Sequence, residues 1–122
     1  MTLDQIAKKV RASALAYPEA WEDFPWGESV VKVRKKVFVF LGHPDDPKVA
    51  FGLSVKLPES QDFALTLPYT EPTGYGLGKA GWVSATFTKG MKPELDLLLE
   101  WVDESYRAVA PKTLVKRLDG TP

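Results

Sequence analysis

The chain has 122 residues and no cysteine, and its 16 basic and 16 acidic residues cancel, which excludes thiolate chemistry, cysteine-bound metals and any global charge favouring nucleic acid or an anionic membrane. That length suits one domain, able to bury about two thirds of its unfolded surface without a disulfide or metal staple. A 44% hydrophobic share with 26% charged residues is that of a globular protein; no apolar run reaches the ~20 residues that span a bilayer, and MTLDQIAKK lacks the basic start and apolar core of a secretory signal, so a cytoplasmic protein is expected.

Thr2 and Gln5 have capping-box spacing, and Leu3, Ile6, Val10 and Ala14 recur at helical intervals, predicting a helix that runs to about Leu15. Tyr17-Pro18 stops it. AWEDFPWGE then reads as an aromatic connection without regular structure, with Trp21, Phe24 and Trp26 plugging the core. SVVKVR and VFVFLG flank Lys35-Lys36 as a hairpin, and because Lys-Lys lacks the Gly or Asn of a tight loop, a wider turn is expected. In VAFGLSVKL the odd positions Val49, Phe51, Leu53, Val55 and Leu57 are apolar and the even ones small or polar, the mark of a strand with one buried face. PESQDFALTL predicts a short helix, PYTEPTGYGLGKAG a loop and WVSATF an edge-forming strand. After Lys92-Pro93, Leu95, Leu98, Leu99, Val102, Tyr106 and Val109 form the core stripe of the longest helix, and PKTLVKRL a short terminal one. Strands with one apolar face, bracketed by helices, imply an α+β two-layer sandwich: an antiparallel sheet with helices on one face only.

The glycine loop GYGLGKAGW invites comparison with a phosphate cradle. A Walker loop requires Ser or Thr after Gly-Lys and a helix beyond it, whereas here Ala80 follows Lys79 and a strand comes next. The glycines are therefore expected to let the backbone turn tightly into that strand. His43, Asp45 and Asp46 in GHPDDP have the composition of a surface turn, no nucleophile-elbow pattern accompanies the lone histidine, and Glu100, Asp103 and Glu104 read as the solvated face of the long helix. No catalytic residue, metal site or cofactor is expected.

The polar sheet face offers more. Lys32 and Arg34 share a parity on the first strand, Ser54 and Lys56 on the third, and Trp82, Ser84 and Thr86 on the fourth, while Lys35, Lys36 and Lys79 extend the set from flanking loops. Cations neutralise phosphates, hydroxyls add hydrogen bonds, and an exposed tryptophan stacks on a base.

EDFPWGE, VRKKVFVFLG, LSVKLP and GLGKAGWVSATF, in this order, resemble the MmcQ/YjbR family of small bacterial proteins over nearly the whole chain, taken as a single domain spanning residues 1–122. Phe24, Pro25 and Trp26 match the family's aromatic element, Lys36 its hairpin lysine, and Lys79 and Trp82 the pair that opens its last strand; Gly78 and Gly81 stand where many members have Asn and His. The resemblance implies a CyaY (frataxin-like) α+β fold and a DNA-binding role through strand hairpins. Iron binding is not expected, because helix one carries Lys8, Lys9 and Arg11 against Asp4 alone. The expectation is thus a monomeric, non-enzymatic DNA-binding protein using Lys32, Arg34, Lys35, Lys36, Lys56, Lys79 and Trp82. The alternative is a protein-interaction or small-ligand module working through the acidic long helix or an aromatic pocket near Trp21, Trp26 and Tyr75.

Overall fold

The computed structural model describes residues 1–42 and 49–120, and of Trp26 the backbone alone. Helix α1 (Leu3–Leu15) opens on the expected capping box: the Gln5 amide donates to Thr2 Oγ1 (3.2 Å) and the Thr2 amide to Gln5 Oε1 (2.8 Å). Six strands follow: β1 (Ala20–Asp23), β2 (Ser29–Val33), β3 (Lys36–Leu41), β4 (Val49–Lys56), β5 (Thr70–Pro72) and β6 (Trp82–Thr88). Helices α2 (Gln61–Ala64), α3 (Leu95–Val109) and α4 (Lys112–Leu118) complete the described elements.

The strands form one antiparallel sheet in the order β1-β2-β3-β4-β6-β5. The register carries the alternation read from the sequence straight across it. Val31, Val39, Val55 and Val83 form one cross-strand row and Leu53 pairs with Ala85; all are buried against Ile6, Val10 and Ala14 of α1, Leu98, Val102 and Tyr106 of α3, and Leu114 of α4. Helices therefore cover one face, and the two-layer α+β architecture is the one expected. Around Phe38 the β2–β3 register slips, so Phe38 and Val39 are both buried in the helix-side core. Phe38 meets Tyr106 edge-on at 5.2 Å between centroids, and Tyr17 stacks on Tyr106 at 4.7 Å.

Several sequence expectations are corrected. The segment around Trp21 is not irregular: Ala20–Asp23 pairs with β2 as an edge strand, leaving Trp21 44% and Phe24 58% exposed instead of in the core. Its charged residues fit a strand with one side open to water. The β2–β3 turn is tight, because Val33 pairs with Lys36 and only Arg34 and Lys35 lie between. Arg34 accepts a left-handed φ of 55°, and the Trp21 indole donates to its carbonyl at 2.7 Å. The segment expected to be loop contains β5, which pairs with β6, so β6 is interior and the edge falls to three residues ending in Pro72. Proline suits that place, since it cannot donate to a further strand. His43, Asp45 and Asp46 lie outside the described residues, as does the side chain of Trp26.

Candidate functional site

The cationic residues are brought together at one end of the sheet, not spread over its face. β2 ends and β3 begins there, β4 ends there at Lys56, and β6 begins there at Trp82, which pairs with Lys56. Lys35 and Lys36 are exposed at the hairpin tip and take part in no ion pair among the described residues. Arg34 occupies the turn instead of sharing a strand face with Lys32, and its guanidinium donates twice to Glu19, at 3.3 Å each. Glu19 also receives Arg117 of α4 at 3.9 Å, so two arginines share one carboxylate beside the two lysines. Nothing in the sequence spacing marks Arg117; only the return of α4 brings it to the tip.

Lys32 is engaged inside the fold. Its ammonium donates to Asp23 at 2.7 Å and sits 5.2 Å from the centre of the Trp21 ring. The same hydrogen bond holds the Asp23 carboxyl below the usual carboxylate range, with a second from the Phe24 amide assisting. Trp82, expected to be exposed, is only 7% exposed and meets Phe40 edge-on at 5.4 Å, so it has no face free for stacking on a base. The cause is legible in the register: Phe40 and Val30 share the open face with Ser54, which is therefore not wholly polar. Lys79, in a short 3₁₀ turn (Leu77–Ala80), is exposed but lies beside α2, whose Gln61 side chain donates to the Gly78 carbonyl at 2.6 Å. Glu59 and Asp62 lie in and next to α2, and neither Lys56 nor Lys79 takes part in an ion pair among the described residues.

Of the four glycines in GYGLGKAGW, Gly76 and Gly81 hold positive φ angles and Gly78 allows a close approach, as expected, while nothing around Gly74 requires glycine. A Cβ on Gly78 would come within 2.8 Å of Pro72, and Gly81 turns into β6 with φ 97°. Tyr75 is different: flanked by Gly74 and Gly76, it takes a left-handed φ of 61° and is fully exposed. A non-glycine residue in that region costs about 1 kcal/mol or more.

Of the α3 carboxylates, Glu100 is exposed as expected, whereas Asp103 and Glu104 are structural, not merely solvated. Glu104 accepts from the Glu59 and Ser60 amides (3.0 and 3.1 Å) and the Ser60 hydroxyl (2.6 Å), while Asp103 accepts from Tyr17 at 2.9 Å and from Arg107 at 2.7 Å. Burial, then the bond to Asp103, pushes the Tyr17 hydroxyl well above its ordinary pKa.

On the open face a hollow of about 750 Å³ lies between the 3₁₀ turn Pro25–Gly27 and the glycine loop. Its floor carries a chain of hydroxyls: Thr73 Oγ1 to Ser84 Oγ at 2.9 Å and Ser84 Oγ to Ser54 Oγ at 2.7 Å. The shared parity of Ser54 and Ser84 is visible in the sequence; the arrival of Thr73 through β5 is not.

The family model for YjbR matches residues 15–108. The chain belongs to the YjbR family. A crystal structure of Deinococcus radiodurans protein DR2400, with the family-model domain DUF419, is similar, with a TM-score of 0.68 and 26% identity over 94% of this chain and 88% of that one. No curated protein matches. The part of the chain matched as YjbR includes all six strands, and hence the hairpin tip and the hollow, but ends before α4, so Arg117 lies outside it. No helix among the described residues is long and apolar enough to cross a membrane.

Proposed function

We propose that this YjbR-family protein is a non-enzymatic binder of the nucleic-acid phosphate backbone, and that it engages DNA end-on through the β2–β3 tip. The observation that carries this reading is the cation surplus there: Arg34, Lys35, Lys36 and Arg117 against Glu19 alone among their ion-pair partners. A two-stranded tip of lysines reaches phosphates without a recognition helix, so binding is governed by counterion release and is weakly sequence-selective. Lys56 and Lys79, beside the acidic flank of α2, contribute less, and Lys32 and Trp82 act within the fold. A binder is favoured over a catalyst because Ser54, Ser84 and Thr73 hydrogen-bond to one another, and among the described residues no side-chain hydrogen bond joins any of them to a carboxylate or histidine that would activate it. The acidic helix is disfavoured as a docking surface because Asp103 and Glu104 are committed to internal partners.

The test is a salt titration of duplex-DNA affinity. Every phosphate that a cation no longer neutralises lowers the slope of log K against log salt by about 0.9, so Lys35→Ala/Lys36→Ala is expected to flatten it by about 2, Lys79→Ala by less, and Trp82→Phe not at all. A double variant that binds with the wild-type slope overturns the reading.

A further inference from the structure

The hollow on the open sheet face has none of the tip cations in its lining, and its chemistry is different. At about 750 Å³ it lies within the range of small-molecule sites, roughly 300–1,000 Å³. It exists because the middle of the face is built from small residues, Gly52 opposite Thr86 and Ser54 opposite Ser84, while Val30 and Phe40 supply an apolar side wall. Glu28, at the end of the first 3₁₀ turn, and Glu71 of β5 bring two carboxylates to the lining; no Lys or Arg is among its described residues. Neither carboxylate has a cationic partner among the described residues. The three hydroxyls of the floor share two hydrogen bonds, so one O–H remains to donate to an occupant.

Tyr75 adds the element that gives the hollow a specificity. It lines the cavity from the glycine loop, holds a backbone conformation that side chains rarely adopt, and exposes its whole ring to water. The fold gains no packing from that ring, and a strained residue retained without a structural return points to use by a ligand. A fully exposed tyrosine at the rim of a hollow with an apolar wall, a hydroxyl floor and acidic groups fits a flat aromatic body carrying a protonated amine: the tyrosine is free to stack on the body and the ammonium meets the carboxylates. Phosphorylated or carboxylated compounds meet like charge. We propose that the hollow is a binding site for a small aromatic amine, with Tyr75 as its stacking residue and Glu28 and Glu71 as its charge selectors.

The experiment is a two-dimensional amide NMR titration of the whole chain with tryptamine, phenethylamine and benzamidine, against indole-3-acetate and benzoate as shape-matched anions. The amines are expected to shift the amides of Ser54, Thr73, Tyr75 and Ser84, with the acids at least tenfold weaker. Tyr75→Gly, which accepts the same φ without strain, is expected to weaken amine binding at least tenfold while melting no lower than wild type. Glu28→Gln/Glu71→Gln is expected to remove the preference for amines over acids, with DNA retention unchanged because the tip lysines are intact. Failure of every amine to shift those four amides, acids binding as well as amines, or Tyr75→Gly binding as wild type would each overturn the proposal, whatever the DNA titration gives.

Discussion

Ser105 shows how one hydroxyl in the core decides the position of two strands. Fully buried on α3, it donates to the Phe38 carbonyl at 2.5 Å and accepts the Lys56 amide at 2.8 Å, joining β3 and β4 where the β2–β3 slip disturbs the ladder. Ser105→Ala leaves the buried Phe38 carbonyl and the partly buried Lys56 amide without that partner; an unsatisfied buried group costs about 1–3 kcal/mol, and the amide, nearer water, costs about 1 kcal/mol. A loss of about 2–4 kcal/mol in denaturant-derived stability is expected; a change below about 1 kcal/mol would show that both groups find other partners. The helical spacing of α3 marked Leu98, Val102 and Tyr106 as its buried stripe but gave no signal for Ser105, because a serine between core positions looks the same whether it meets water or a carbonyl. Trp82 makes the converse point. Its parity places it on the open face, as read, but burial depends on Phe40, a neighbour two strands away whose face is set by the β2–β3 slip.

At the scale of elements, the strands with a strong apolar alternation were legible and the edges were not. β4 and β6 bury every second residue against helices, so their pattern is written in their own composition. β1 and β5 are four and three residues long, and their strand character comes from the neighbour they pair with. β1 is further pinned by Trp21, whose indole N–H bonds the carbonyl of Arg34 across the turn and whose ring lies under the Lys32 ammonium. Trp21→Phe keeps an aromatic ring under the lysine and removes the donor. Because the site is exposed and water replaces the bond in part, the expected loss is about 0.5–1 kcal/mol, with faster amide exchange confined to β1 and the Arg34–Lys35 turn. Exchange accelerated throughout the sheet would instead mean that the tip is coupled to the core. The wide turn inferred from Lys35-Lys36 fails for the same reason: glycine is the default in such turns, but a tertiary bond holds arginine in the left-handed region.

At the scale of the whole molecule, ion pairs and buried phenols set opposite limits on stability against pH. Glu22, bonded to Arg11, Asp23, bonded to Lys32, and Asp119, bonded to Arg107, all have carboxyls held below the usual range by those partners. A depressed folded pKa means the contribution is complete above the unfolded value of about 4 and is lost as pH falls through the folded one. On the alkaline side Tyr17, Tyr69 and Tyr106 are raised, burial being the largest cause in each. A raised folded pKa means the contribution is complete below the unfolded value of about 10 and is lost as pH climbs past it. The expected profile is a plateau from about pH 5 to 9 that falls on both sides. Salt separates the two limbs: ion pairs with exposed members are screened, so the acid limb becomes shallower at about 0.5 M than at about 0.05 M salt, whereas a limit set by burial barely moves. Tyr17→Phe, which deletes the hydroxyl bonded to Asp103, is expected to soften the alkaline fall and leave the acid limb in place. Thermal midpoints measured across pH at the two salt concentrations check this, and an alkaline limb as salt-sensitive as the acid one would refute burial as its cause.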